Sequence, residues 1–332
     1  MTYVKGPRIR RADLKRFFAK ARRPGFSARA MRILVAALGL LLALVAPACA
    51  VDRLDPVPRV AVISAYEPEW KVPKTSVGEA TSHQANGVEF VAGTLAGRNV
   101  VLFLSGVGMV NAAMIAQLAL DRFDVTAIVV SGIAGGVDPG LHIGDLVVAE
   151  RWGQYLDPVF AHETDGKFQP PAWMKTPYPN FGMIFPIETG VRRSGSAMER
   201  RFWFDADPGM LAAAGKVGAV ELKRCTVEQR CLNRAPRLVV GANGVSGAVF
   251  VDNAAFRQYL LDTFKAQVVD MESAAVAMVA YANRVPFISF RSLSDLAGGE
   301  GGTNELRAFF QLASDNSAAV VQRFLALWTP PR

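Results

Sequence analysis

The sequence predicts an α/β domain, and three observations carry that expectation. Short apolar runs of strand length alternate with longer segments of helical period. Glycine turns follow successive strands. The 332 residues are 51% hydrophobic, enough to bury a large core. One domain with insertions accounts for this rhythm, and two are not required.

A basic leader precedes these elements. Of 37 Lys and Arg, 11 fall within residues 1–32 against one Asp, so the formal charge of +8 sits almost wholly there; the remainder, with 26 basic and 28 acidic residues, is near −2. No basic patch interleaved with aromatics follows, which excludes nucleic acid as the expected partner. Ile33 to Val45 is apolar but short for a bilayer span, and Pro47-Ala48-Cys49-Ala50 completes a secretory signal pattern with cleavage after Ala50. Lipid attachment at Cys49 is the weaker reading, because Ala46 stands where a branched residue is usual. Residues 1–50 are expected to be leader and signal peptide. Residues 51–332 are then an exported domain, periplasmic or secreted, with no stable membrane span after cleavage.

From Arg59, VAVISAYEPEW reads as a strand and a polar turn, and GRNVVLFLSGVGMVNAAMIAQLALDRF as strand, glycine turn and helix. Val125 to Val130 is a buried strand opening onto a glycine loop, Ser131 to Gly136; another strand, Ile143 to Ala149, follows the Pro139-Gly140 turn. From about 151 to 237 the pattern weakens into an insertion. Its Trp152, Trp173, Tyr178, Phe181, Phe202 and Trp203 argue against disorder, since burying them offsets the entropy of ordering. Cys225 and Cys231 are an even pair in an exported chain, which reads as a disulfide contributing about 2 kcal/mol, with two free thiols as the alternative. Zinc is disfavoured, because none of the three His lies near them in sequence. Helices are expected over Asn253 to Phe264, over 271–282 and over about Asn304 to Trp328.

Between Val268 and Gly299, VVDMESAAVAMVAYANRVPFISFRSLSDLAGG places Asp270, Glu272 and Asp295 among apolar and small residues. Asp270 and Glu272 suit the first turn of a helix, where backbone amides favour negative charge, so capping competes with ligand binding for each. Asp295 closes a buried strand, where Ser-Asp either starts a turn or meets a ligand.

Taken together, VDMESAAVA, PFISFRSLSDLA and SGIAGGVDPGLHIGDLVV resemble the purine nucleoside phosphorylase and 5′-methylthioadenosine/S-adenosylhomocysteine nucleosidase superfamily, over most of the mature chain. The likeness is closest to plant bark and vegetative storage proteins, through Cys225, Cys231, VFVDNAAFRQYL and RSLSDLAGG. The resemblance implies a single-domain, three-layer α/β fold with a central mixed sheet. It also implies a purine nucleoside as small-molecule partner, a homodimer or larger homo-oligomer, and no metal or organic cofactor.

Cleaving an N-ribosidic bond requires an acid for the departing base while the sugar becomes oxocarbenium-like. By resemblance Asp295 is that acid and Ser294 orients it. At a reference pKa of about 3.9 it must be raised or share a proton with the purine. Glu272 accepts from the ribose hydroxyls, and Met271 packs against the sugar. Phe250 stacks on the base, with core packing as its alternative, and Val251 supplies backbone hydrogen bonds. Glu69 matches the glutamate that activates water, with Glu67 competing. A carboxylate there opposes phosphate by about 4 kcal/mol, which favours hydrolysis over phosphorolysis. Ser105 positions Glu69 or ribose, or caps a helix. Ile133, Ala134 and Gly135 shape the wall. Ala248 departs from the family pattern, where Asp is usual. A non-catalytic, storage-like purine binder and a phosphorylase are the alternatives to a nucleosidase.

Overall fold

The computed structural model describes residues 53–330 apart from 194, 219 and 300. The expected leader, its cleavage site and Cys49 lie outside the described residues.

The chain opens with β1 (Asp55–Ser64) and α1 (Glu67–Thr75). Next come β2 (Gly78–Ala85), β3 (Val88–Leu95) and β4 (Arg98–Leu104), then α2 (Met109–Arg122), β5 (Phe123–Gly136) and β6 (Leu146–Gln154). Short pairs then occupy the insertion: β7 (Pro158–Phe160), β8 (His162–Thr164), β9 (Lys167–Gln169), β10 (Ile184–Pro186), β11 (Thr189–Arg192) and β12 (Met198–Arg201). β13 (Trp203–Asp205) and α3 (Pro208–Ala214) follow. The remainder is β14 (Leu238–Ser246), α4 (Ala254–Phe264), β15 (Ala266–Asp270), α5 (Ser273–Asn283), β16 (Phe287–Asp295) and α6 (Leu306–Leu327).

Ten strands form one mixed sheet in the order β13-β6-β14-β15-β5-β1-β4-β3-β2, with β16 pairing both β5 and β6. Those pairings close β6, β14, β15, β5 and β16 into a ring. β14 runs parallel to β6 and β15, and β16 parallel to β5, whereas β15 meets β5 and β16 meets β6 antiparallel. β16, FISFRSLSD, is buried at all nine positions, as a strand closing such a ring must be.

Helices cover both faces, giving three layers. On one side α5 presents Ala274, Ala277 and Ala280, and α2 presents Ala112, Ala116 and Ala119, all buried in one cluster with Phe90 and Phe103. Small side chains let two helices approach closely. On the other side α6 buries Val320, Val321, Phe324 and Leu325 with Met210 of α3 and Trp70 of α1. The apolar residues of α6 recur at helical spacing, so one face meets the sheet.

Some boundaries differ from the sequence reading. Ser131 to Gly136 is not a loop but the end of β5, because Ser131 pairs with Phe290 and Gly135 with Asp295. Glycine is required in that strand: a Cβ on Gly132 would lie 2.3 Å from Arg291 Nη1 and 2.5 Å from Glu69 Oε1. The last helix of the motif begins at Ser273, not 271, so Met271 and Glu272 occupy the turn between β15 and α5. The weak pattern from 151 to 237 resolves into hairpins, while β6 continues to Gln154 and β13 rejoins the main sheet.

Most of the insertion's aromatics pack on α4: Phe202 stacks on Phe264 at 4.9 Å, Tyr178 meets Phe202 at 4.4 Å and Phe181 meets Phe256 at 4.9 Å. Trp152 is instead buried in the cluster with α2 and α5, and Trp173 is 81% exposed. Cys225 and Cys231 are joined in a disulfide. The loop that it closes carries Arg230, whose guanidinium pairs with Glu305 at 3.3 Å and lies over the Phe309 ring. Among the described residues no helix is long and apolar enough to cross a membrane.

Candidate active site

The ends of the ring strands converge on a cavity of about 260 Å³. The turn after β1 supplies Ala65 and Tyr66, and the first turn of α1 Glu69; β5 supplies Ile133, Ala134 and Gly135; and the segment after β14 supplies Val249, Phe250 and Val251. Val269 and Asp270 come from the end of β15, Met271 and Glu272 from the turn after it, Ser294 and Asp295 from the end of β16, and Val107 and Leu306 complete the lining. The structure thus brings together Asp295, Glu69, Glu272, Met271, Phe250, Val251, Ser294, Ala134 and Gly135. Ser105 is buried outside the lining, its hydroxyl donating to Gly106 O at 2.9 Å and its N–H to Ser64 O at 2.8 Å.

Glu69 is 2% exposed, whereas Glu67 of the same helix points to solvent. The Glu69 carboxylate accepts from Ala65 N–H at 2.6 Å, Tyr66 N–H at 3.2 Å and Ile133 N–H at 2.8 Å, which fixes its orientation at the helix start. Burial nevertheless raises its pKa, outweighing the nearby Arg291 charge and those amides. Glu272 accepts from Gly108 N–H at 2.9 Å, and its pKa is pushed up by burial to about 7 against the lowering pull of Arg291. Gly108 can offer its amide there because φ is +97°, backbone that favours glycine.

Asp295 accepts from the Ser294 hydroxyl at 3.0 Å and from Ala297 N–H at 2.9 Å, and is 2% exposed. A Cβ on Gly135 would meet its Oδ1 at 3.2 Å, so the wall beside it is backbone. Phe250 is 49% exposed along the cavity, which disposes of core packing as its role. The segment carrying Phe250 and the one carrying Asp295 are tied by a bond from Asn253 N–H to Ala297 O at 3.2 Å. Ala248 is exposed between them and the solvent.

Arg291 was not singled out in the sequence. It is fully buried in β16 and faces three carboxylates: Asp270 at 2.7 Å, Glu272 at 3.3 Å and Glu69 at 3.9 Å. Its Nε also donates to Ser273 Oγ at 3.0 Å and its Nη1 to the Ile133 carbonyl at 3.3 Å. Asp270 completes the arrangement, accepting from Ser246 Oγ and from the amides of Glu272 and Ser273 at 3.3 and 3.2 Å. Asp270 is therefore both the start of α5 and the nearest partner of Arg291. The available signal was an arginine between Phe290 and Leu293 in a segment read as a buried strand, where a charge must find partners. Among the described residues no Lys, Arg or His lines the cavity itself.

The chain matches the phosphorylase superfamily profile over residues 59–326. It is similar to the 5′-methylthioadenosine/S-adenosylhomocysteine nucleosidase of Mycobacterium bovis, 30% identical over 272 residues that cover 81% of this chain and 98% of that protein. The nucleosidase of the same name from Anoxybacillus flavithermus is 28% identical over 264 residues, 79% of this chain and 96% of that one. Among solved structures, the nucleosidase of Colwellia psychrerythraea in complex with adenine aligns with a TM-score of 0.60 at 26% identity, covering 83% of this chain and 97% of that chain. The Neisseria meningitidis nucleosidase in complex with methylthio-immucillin-A shares the fold, with a TM-score of 0.62 at 24% identity over 81% and 99% of the two chains. The likeness to storage proteins noted from the sequence has no counterpart among these relatives. With the ring of strands, the converging carboxylates and a match across nearly all the described residues, the chain belongs to the phosphorylase superfamily.

Proposed function

We propose that the protein hydrolyses the N-glycosidic bond of a purine nucleoside of the 5′-methylthioadenosine or S-adenosylhomocysteine type and releases adenine. The observation that carries this reading is a buried, oriented carboxylate, Glu69, in a cavity that no Lys, Arg or His among the described residues lines. Phosphorolysis needs cationic or amide donors for a dianion. Here the one buried cation beneath the site is already surrounded by three carboxylates.

In this reading the purine lies between Phe250 and the Asp295 end, with Asp295 giving a proton to the departing base and Ser294 holding the carboxyl. Glu272 accepts from the ribose hydroxyls beside Met271. Glu69 takes a proton from the attacking water. Cleavage leaves adenine and the free sugar, with negative charge from Glu272 and Glu69 stabilising the oxocarbenium-like transition state.

Product analysis on a nucleoside panel, with and without phosphate, is the test: free adenine and a free sugar without phosphate are expected. A strict phosphate requirement with ribose 1-phosphate as product would replace hydrolysis by phosphorolysis, and tight binding without turnover would support a storage-like binder. Asp295→Asn should lower kcat by at least about 10²-fold, the scale of general-acid catalysis. Unchanged activity in that variant would sink the mechanism.

The proposal extends to an exported location, supported by the composition of the leader and by the Cys225–Cys231 disulfide, and tested by fractionating cells. It also extends to a homodimer or larger assembly. Val107, Val110 and Met114, 49%, 79% and 57% exposed on and before α2, support that reading, and light scattering checks it.

A further inference from the structure

Tyr66 lines the cavity and has no part in the chemistry assigned above. It is the residue before α1, three positions ahead of Glu69, and its N–H is one of the donors that hold that carboxylate. The phenol is half-buried, with its ring 6.5 Å from that of Phe310 on α6. Burial and the charge of Glu69 push its pKa up to about 12, so the hydroxyl keeps its proton.

The remaining lining fixes which part of a nucleoside meets it. Asp295, Ser294, Phe250 and Val251 take the base, and Glu272 with Met271 takes the ribose hydroxyls. With Glu69 given to water, Asp270 to Arg291 and the β5 backbone to the wall, Ala65, Tyr66, Val107, Val249, Val269 and Leu306 are left for the 5′ substituent. That wall is apolar apart from one phenolic hydroxyl, which can donate or accept. A thioether sulfur is a weak acceptor, whereas a 5′-hydroxyl is a full partner. Among the described residues no cation lines the cavity to receive the carboxylate of a longer, zwitterionic substituent.

We propose that Tyr66 reads the 5′ substituent through its hydroxyl and extends the substrate range from 5′-thioethers to purine nucleosides with a free 5′-hydroxyl, such as adenosine. The inference rests on the nucleosidase reading for the orientation of the ligand. Tyr66 acts on specificity, not on the bond being cleaved.

The test compares adenosine with 5′-methylthioadenosine on the wild-type protein and on Tyr66→Phe, which keeps the ring against Phe310; thermal melting checks that the variant is folded. The expected result is that Tyr66→Phe lowers the kcat/KM ratio of adenosine to 5′-methylthioadenosine about tenfold, the loss of one buried hydrogen bond. The same ratio of dissociation constants, measured by calorimetry, should shift in the same direction. An unchanged ratio in both measurements overturns the proposal. If the wild type binds both nucleosides but cleaves neither, the hydrolase reading fails and the ratio of dissociation constants alone decides on Tyr66. If it binds neither, both fall.

Discussion

Glu272 is held under opposite demands. Its proposed work, accepting from ribose hydroxyls beside a developing positive charge, needs the ionised form, while burial favours the protonated one and raises its pKa from 4.5 to about 7. Activity should therefore rise with pH through about 7, as Glu272 ionises, with the raised Glu69 contributing to the same limb. Stability should move the other way. Between pH 4.5 and about 7 the folded protein holds a proton that the unfolded chain has lost, so stability falls as pH rises across that window. Urea titrations at several pH values check this, and Glu272→Gln should flatten the dependence. Arg291 is the counterpart. Arg291→Met would leave three buried carboxylates without their cation and should cost about 3–5 kcal/mol, more at higher pH. The carboxylates were legible in the sequence because charge in an apolar context stands out. Their common cation was not, since nothing local to FISFRSLSD says which distant turns it faces. Ser105 shows the reverse limit: its place after a strand was readable, but not that its hydroxyl turns to Gly106 O.

At the level of elements, α4, α5 and α6 were readable to within a few residues, because helical period and an Asn cap are local signals. Asn253 indeed accepts from Phe256 N–H at 2.8 Å. Ser131 to Gly136 was misread as a loop because glycine is a poor strand former in isolation. Its pairing with β16, and the arrival of Glu69 and Arg291 where a Cβ would stand, decide otherwise. The hairpins of the insertion were illegible for another reason: three- and four-residue strands carry too short an alternation to detect. The disulfide loop gives this scale its prediction. Cys225→Ser with Cys231→Ser should lower stability by about 2 kcal/mol, seen as a shift in the urea midpoint. Arg230→Ala, which removes an exposed pair with Glu305, should cost less than about 1 kcal/mol.

Over the whole molecule, the α/β class followed from alternation alone, and the resemblance supplied the three layers and the mixed sheet. What neither alternation nor motif order contained is the closure of β6, β14, β15, β5 and β16 into a ring. Closure depends on β16 pairing with two strands distant in sequence, and non-local pairing leaves no mark in a local window. That closure gathers Glu69, Glu272 and Asp295, which span more than two hundred positions of the chain, around one cavity.

The bond from Asn253 N–H to Ala297 O joins the segment that follows Phe250 to the turn that follows Asp295. In the free protein, opening either segment exposes that amide to solvent deuterium. A ligand gripping both sides must suppress the two motions together. Deuterium uptake at Asn253 should therefore slow when a purine nucleoside is bound and stay fast with ribose alone, so one backbone proton reports whether the two walls breathe as a unit.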